Sequence, residues 1–185
     1  LVAQHYYSHR LPRAGDAGES PAALEIRHGS RILDITGQVT AIQHGVSTFC
    51  RRTGGIDGQS LTASSVLSVL RALLSDRPLL VHAPAPDGLP GGYPVLASRD
   101  GFELSLPEGL SEADAILINQ KGQYADGVRH IDPVTGTATI RPDKLEILDR
   151  HFKVNHDPIE PSAAWQRAHE MHESFSALQL ARSAA

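Results

Sequence analysis

The sequence predicts a mixed α/β or α+β domain that contains one strand–helix–strand unit, additional hairpins and a C-terminal helix. Three observations support this prediction. Residues 46–50 are rich in β-forming side chains, residues 62–75 follow an amphipathic helical pattern, and residues 79–82 form a short apolar run. Units of this kind usually close as a right-handed crossover between parallel strands. We therefore expect the strands at 46–50 and 79–82 to lie in one mixed sheet.

The helix at 62–75 is the clearest element of the sequence. Its apolar residues recur at spacings of three and four, which is typical of a helix with one buried face. They are Val66, Leu67, Val69, Leu70, Leu73 and Leu74. Pro78 ends the helical pattern, and the apolar run at 79–82 then reads as a buried strand.

Two hairpins are predicted after this unit. The first joins residues 93–98 to 102–106 across Arg99-Asp100-Gly101, and the second joins Ile131 to 137–140 across a Val-Thr-Gly turn. Both have Gly in the connection, where a tight turn favours it.

Three helices complete the predicted order. Ser111 and Asp114 form a variant of the capping box at the start of one, which Gly122 ends. Asp143 begins a short helix that runs to about residue 151. Ser162 begins the last, whose apolar face is predicted to consist of Trp165, Ala168, Phe175 and Leu178.

Length and composition predict one domain. The chain has 185 residues, of which 41% are hydrophobic and 21% charged, close to the average of globular proteins. Residues 1–22 show no sustained period and are predicted to form a loosely ordered arm. Residues 23–185 are predicted to form a single mixed α/β domain, and the chain also fits a fragment or the C-terminal domain of a longer protein.

Charge and hydropathy exclude two classes of partner. A net charge of −4 and an aromatic content of 5% argue against nucleic acid as the ligand. No apolar run approaches the ~20 residues that a membrane-spanning helix needs. Cys50 is the only cysteine, so an intramolecular disulfide is excluded. These features predict a cytoplasmic protein without a membrane partner.

A Gly-rich loop follows the predicted strand at 46–50 and opens the helix. Free backbone N–H groups and the helix dipole favour a phosphate or carboxylate at such a position. The predicted anion-binding residues are Arg51, Arg52, Gly54, Gly55, Asp57, Gly58 and Ser60. The alternative is a tight turn in which Ser60 or Thr62 caps the helix.

A second loop follows the predicted strand at 79–82, and its high Pro and Gly content predicts a stiff chain with unusual backbone dihedrals. His82 titrates near neutral pH, Asp87 is its predicted orienting partner or second acid, and Tyr93 supplies a hydroxyl donor. These three residues are the predicted catalytic groups. Gly88, Gly91 and Gly92 are predicted to line the substrate site. The alternative is a structural surface loop in which backbone groups satisfy His82.

Established catalytic motifs do not assign a reaction. The first loop lacks the Gly-Lys-Ser/Thr of a Walker A loop and the spacing of the dinucleotide-binding fingerprint. No Gly-x-Ser-x-Gly elbow occurs, and His169 and His172 are one residue too close for a zincin motif. We therefore predict no metal site and assign no cofactor.

Two hypotheses about function remain. In the first, the protein is an enzyme or enzyme domain that binds a small anionic metabolite between the two Gly-rich loops and uses acid/base or electrostatic catalysis. In the second, it is a non-catalytic oligomerisation or substrate-covering module of a larger, nucleotide-dependent enzyme. The C-terminal helix is the predicted surface for homo-oligomerisation.

Overall fold

A computed structural model describes residues 1–3, 22–52 and 58–183. The fold is α+β, as predicted, with helices and antiparallel sheets. The chain divides into two compact units, Leu1–Gln123 and Tyr124–Ala185. Most of the predicted arm lies outside the described residues, and the single domain over 23–185 stays a prediction.

The first unit contains a five-stranded antiparallel sheet and a separate two-stranded hairpin. The sheet has the order β2-β1-β6-β5, and β7 also pairs with β6. The strands are β1 (Val2–Ala3), β2 (Ala22–Ala23), β3 (Arg27–His28), β4 (Arg31–Ile32), β5 (Leu79–Pro84), β6 (Gly92–Ser98) and β7 (Gly101–Leu104). The helices are α1 (Val39–Arg52), α2 (Gln59–Leu73) and α3 (Glu112–Ala125).

The predicted strand at 46–50 is wrong, because these residues lie inside helix α1. Although the five residues favour a strand by composition, Ile42, Gln43, Val46 and Ser47 recur at helical spacing and form the more buried side of the helix. The strand–helix–strand unit with parallel strands is therefore absent from the described residues, in which every strand pairing is antiparallel.

The other elements around the sheet agree with the predictions. Helix α2 covers most of the predicted 62–75, strand β5 covers 79–82, and β6 and β7 form the first predicted hairpin. Ser111 caps α3: its Oγ accepts from the N–H of Asp114 at 3.1 Å, which is one of the two bonds of a capping box, and its hydroxyl donates to the Asp114 carboxylate at 2.6 Å.

One face of the sheet forms the core of the first unit. The register pairs Leu79 with Ala97, Val81 with Val95, and Ala83 with Tyr93, so these residues share a face. Helices α2 and α3 contribute Ala72 and Ala115 to the same core. The fully or nearly fully buried members are Val2, Ala72, Ala83, Tyr93, Val95, Ala97 and Ala115. The intervening residues of β5 point to the opposite face.

The second unit contains the second predicted hairpin and the last two helices. Its elements are β8 (Val128–Ile131), β9 (Ala138–Ile140), α4 (Pro142–Phe152) and α5 (Ala164–Ser183). The Asp132 carboxylate accepts from the N–H groups of Val134 and Thr135 at 2.9 and 2.7 Å and shapes the hairpin turn.

The C-terminal helix α5 differs from its predicted orientation. Its more buried side includes Arg167, Glu170 and Leu178, and the ring of Phe175 lies 6.4 Å from that of Phe152. The face was predicted to pack on either the body of this domain or a partner chain; Trp165 is 86% exposed, so the first alternative is wrong for this residue, and the second stays a prediction. Homo-oligomerisation through this helix stays a prediction.

Candidate functional site

The second predicted loop is the tight connection between β5 and β6. A 3-10 turn covers Pro86–Gly88, and the N–H of Ala85 donates to the carbonyl of Gly91 at 2.6 Å. The φ angles of Ala85 and Asp87 are 46° and 51°, in the left-handed region that side chains disfavour. The loop thus has the unusual dihedrals that its Pro and Gly content predicted.

Tyr93 is the first residue after this loop whose side chain points to the helix-covered face of the sheet, and it lies in the core. Its side chain is fully buried, and its hydroxyl donates to the carbonyl of Pro90 at 2.7 Å. Burial raises the pKa of the Tyr93 phenol. The hydroxyl is therefore engaged in closing the loop.

His82 lies on the opposite face of the sheet from Tyr93. It pairs with Pro94, and its ring extends over Gly92, where a Cβ would lie 2.7 Å from the ring Cε1. The Nε2 atom is 2.7 Å from the carbonyl oxygen of Leu1. Because a carbonyl only accepts, Nε2 carries a proton.

The protonation of His82 follows from this position. Although part of the side chain remains exposed, desolvation lowers the pKa of His82, and the hydrogen bond to Leu1 opposes this shift without cancelling it. The imidazole of His82 therefore stays neutral to a lower pH than that of a free histidine. In this neutral form the lone pair is on Nδ1.

Asp87 is exposed and makes no hydrogen bond or ion pair with His82. The described structure therefore does not join the three predicted catalytic residues into one hydrogen-bonded group, and two of them face opposite sides of the sheet. Their catalytic roles stay predictions.

Asn119 is a buried polar residue beneath the loop that the sequence reasoning missed. Its Nδ2 donates to the carbonyl of Gly92 at 3.3 Å, and its Oδ1 is buried with no hydrogen-bond partner among the described residues. The side chain fills the space that a Cβ at Gly91 would need, and Gly91 has a φ of 86°. The available signal was helical spacing, because Asn119 lies four residues after buried Ala115.

The first Gly-rich loop is described only at its ends. Gly54, Gly55 and Asp57 lie outside the described residues, as does the side chain of Arg51. Arg52 is exposed at the end of α1, and Ser60 is exposed in the first turn of α2. Since α1 replaces the predicted strand, the first Gly-rich loop follows a helix, and the two loops do not both follow strands of one parallel sheet.

The start of α2 has no side-chain cap. Gly58 is its N-cap residue, and no acidic residue lies in the first turn. Thr62 donates its hydroxyl hydrogen to the carbonyl of Gly58 at 3.3 Å, so it does not accept from a free N–H group there. The predicted capping by Ser60 or Thr62 is therefore not observed among the described residues.

Neither a metal-binding cluster nor a membrane-spanning helix occurs in the described ranges. No group of three or more His, Cys, Asp or Glu side chains in these ranges has the arrangement of a metal site. His169 instead lies 3.3 Å from Glu173 along an exposed side of α5. None of the described helices has the length and apolar character needed to cross a bilayer.

Helix α2 carries an extended apolar surface, which we call the α2 apolar face. It consists of Ala63, Val66, Leu67, Leu70 and Leu74, the last at the C-cap of the helix. The four large side chains are 50–76% exposed. Only the last turns of α2 contact the sheet, through Ala72 and its neighbours. A continuous, exposed apolar surface of this kind usually marks an interaction site.

Comparisons with known proteins give no further guide. No protein-family model matches the chain, and neither the curated proteins nor the solved structures include a significant match.

Proposed function

We propose that this protein is an assembly domain that associates with a second copy through the α2 apolar face. The observation that carries the proposal is the exposure of Val66, Leu67, Leu70 and Leu74 on one side of a helix. Each of these side chains would gain on the order of 1 kcal/mol from the burial of its exposed half. Such a face is costly to leave in water and is suited to packing against another helix.

The pattern of this face favours a second copy as the occupant. Ala63, Leu67, Leu70 and Leu74 recur at spacings of four, three and four, which is the a/d pattern of a short helix–helix seam. Arg71 is the only charged residue of α2. Two copies can therefore pack without strong like-charge repulsion, whereas nothing on the face would select a charged partner.

The oligomeric state of the intact chain tests this proposal. Sedimentation velocity over a hundredfold range of concentration should show a dimer that dissociates on dilution. Leu70→Glu should abolish the dimer, because it places a charge in the seam. It should preserve the fold, because the side chain is already 50% exposed.

Ser68→Glu is the matched control. Ser68 is exposed on the other side of α2, and the substitution introduces the same charge. This variant should dimerise like the parent chain. A parent chain that stays monomeric throughout the concentration range would overturn the proposal, as would equal effects of the two substitutions.

An anion-binding enzyme or enzyme domain is the second candidate. Two observations favour it: no side chain of the described residues caps the start of α2, whose first turn has no acidic residue, and the side chain of Arg52 before the loop is exposed. Binding of phosphorylated and carboxylated metabolites, measured by calorimetry, tests this candidate. Arg52→Met should weaken binding by about a hundredfold if the guanidinium contacts the anion. No anion binding by the parent chain would eliminate this candidate.

A further inference from the structure

Strand β5 presents a regular and uncharged edge. It lies at the end of the sheet order and pairs with β6 alone among the described strands. The pairing runs without a bulge from Leu79 to Pro84, and the sequence Leu-Leu-Val-His-Ala-Pro contains neither Lys nor a carboxylate. Natural edge strands are usually protected by charges, bulges or a covering segment. Pro78 and Pro84 blunt the two ends of β5, but between them the described residues provide no charge, bulge or second strand pairing, so this stretch of the edge is suited to pairing with another strand.

The register shows which backbone groups point away from β6. The carbonyl of Pro94 accepts from the N–H of Ser105 at 2.9 Å, on the side of β6 away from β5. The His82–Pro94 pair is therefore a non-hydrogen-bonded pair of the antiparallel ladder. It follows that the N–H and C=O groups of His82, and by alternation those of Leu80, point toward the open edge.

We propose that two copies join through β5 in an antiparallel pair centred on Val81, which makes one continuous sheet. This inference rests on the proposed function, because it identifies how the second copy is held. In this register, Leu80 of each copy faces His82 of the other. All outward N–H and C=O groups of these two residues then find partners.

The prolines at both ends of the edge favour this register. Pro78 precedes β5 and Pro84 ends it, and neither has an N–H group. If the two strands were shifted by one hydrogen-bonding step in either direction, a proline would lie opposite Leu80 or His82. The carbonyl of that Leu80 or His82 would then have no N–H group opposite it. The centred register instead places Pro78 opposite Pro84 of the second copy.

The same symmetry relates the two α2 helices. Helix α2 packs on β5 and β6 from the core side of the sheet. A twofold axis through Val81, normal to the sheet, places the two α2 helices on the same face of the joined sheet, antiparallel to each other. The proposed strand pairing therefore brings α2 of each copy to the same side of the assembly.

Charges at the ends of β5 are complementary in this arrangement. Arg77 lies opposite Ala85 of the second copy, two residues from the exposed carboxylate of Asp87. Neither Arg77 nor Asp87 forms an ion pair with a residue in the described ranges. The two copies thus place opposite charges near each other at both ends of the pair.

A proline substitution tests the backbone pairing. Leu80→Pro removes an outward N–H group and leaves the bonds between β5 and β6 intact, since position 80 does not donate to β6. It should weaken the dimer by about thirtyfold, because a hydrogen bond is lost at each of two symmetric positions. Leu80→Ala, which retains the N–H group, is the control and should dimerise like the parent chain.

Cysteine cross-linking tests the register, and it does not depend on the proline variant remaining folded. In a Cys50→Ser background, Val81→Cys should give a disulfide-linked dimer, because residues in a non-hydrogen-bonded pair have Cβ atoms about 4.5–5.5 Å apart. Ala83→Cys is the control. Two copies of residue 83 would lie roughly 13 Å apart, so no cross-link should form.

The outcomes separate this inference from the function on which it rests. A monomeric parent chain overturns both. A dimer that Leu70→Glu disrupts, while Leu80→Pro does not and Val81→Cys does not cross-link, leaves the assembly domain standing and overturns the β5 pairing. A monomeric parent whose Leu80→Pro variant loses stability would show that a segment of the same chain covers the edge, which also overturns it.

Discussion

The imidazole of His82 occupies the space over Gly92 of the neighbouring strand. A Cβ at position 92 would lie 2.7 Å from the ring Cε1 and 3.3 Å from the carbonyl oxygen of Ala3. Gly92 therefore lets the histidine ring cross strand β6 and reach the carbonyl of Leu1. The ring therefore reaches from β5 across β6 to the strand beyond it because position 92 has no side chain.

Gly92→Ala should displace the His82 ring and break its hydrogen bond to Leu1. The displaced ring would be better hydrated, so the pKa of His82 should rise toward its ordinary value. NMR titration of the His82 ring protons measures this change. An unchanged pKa in a folded Gly92→Ala variant would show that the ring does not need the space over this glycine.

The lowered pKa of His82 also predicts a pH dependence of stability. The unfolded chain binds a proton at His82 near pH 6.5, whereas the folded chain binds it only at lower pH. The free energy of unfolding should therefore fall as the pH drops below about 6.5. Urea denaturation at pH 8 and pH 5.5 should show a smaller change for His82→Gln than for the parent chain. Equal changes would contradict a desolvated His82.

Sequence periodicity was informative where it extended over a long segment. The pattern at 62–75 predicted α2, and the Arg99-Asp100-Gly101 turn signal between two apolar segments predicted β6 and β7. Residues 46–50 were wrongly predicted as a strand because the prediction used the composition of these five residues alone. Val39, Ile42, Val46 and Phe49 recur at spacings of three, four and three, which indicates the helix that the structure contains.

The candidate catalytic residues depended on strand register, which the sequence does not specify. The composition of the loop after β5 correctly indicated unusual dihedrals. The pairing of Ala83 with Tyr93, however, places the tyrosine on the core face and leaves His82 on the other. The contact between Asn119 and Gly91 depends on how α3 packs against the sheet, so no local pattern predicts it.

Ser111→Ala should destabilise the first unit by about 1 kcal/mol, because the capping box at the start of α3 is lost. Urea denaturation at pH 7 measures the effect. Ser64→Ala is the control: Ser64 is exposed within α2, where alanine is the better helix former. This control should leave stability unchanged or slightly raise it, and a matching loss in both variants would argue against the cap.

Glu170→Gln should destabilise the second unit more than Glu173→Gln does. The Glu170 carboxylate accepts hydrogen bonds from Gln166 and Arg167, which hold its pKa below the usual range, and it lies 2.8 Å from Nε2 of buried His156. Glu173 has only an exposed contact with His169. Thermal unfolding of the two variants measures the difference.

The same carboxylate predicts a pH dependence for the second unit. The pKa of Glu170 is lower in the folded chain than in the unfolded chain. Its contribution to the free energy of unfolding is therefore fully present at a pH above the unfolded-state pKa, and it is lost as the pH falls through the folded-state pKa. The stability difference between the parent chain and Glu170→Gln should therefore shrink in acid. A difference that is independent of pH would contradict this account.

The contact between Asn119 and Gly91 gives the sharpest test of the loop after β5. Gly91→Ala introduces a Cβ where the Asn119 amide lies and also strains a residue with a φ of 86°. Gly88→Ala is the matched control, since Gly88 has a φ of 81° and no atom near the new Cβ. Both variants should lose ~1–2 kcal/mol of stability, because alanine is strained in the left-handed conformation. Gly91→Ala should lose about 2 kcal/mol more through overpacking against Asn119.

A double-mutant cycle assigns the additional loss to Asn119. In an Asn119→Ala background the amide that blocks the new Cβ is absent, so Gly91→Ala should cost no more than Gly88→Ala does in the parent chain. Urea denaturation of the four chains of the cycle and the Gly88→Ala control measures these terms. If Gly91→Ala lowers the free energy of unfolding equally with and without the Asn119 side chain, then contact with the asparagine is not the reason that position 91 needs glycine. Backbone conformation alone would then require it.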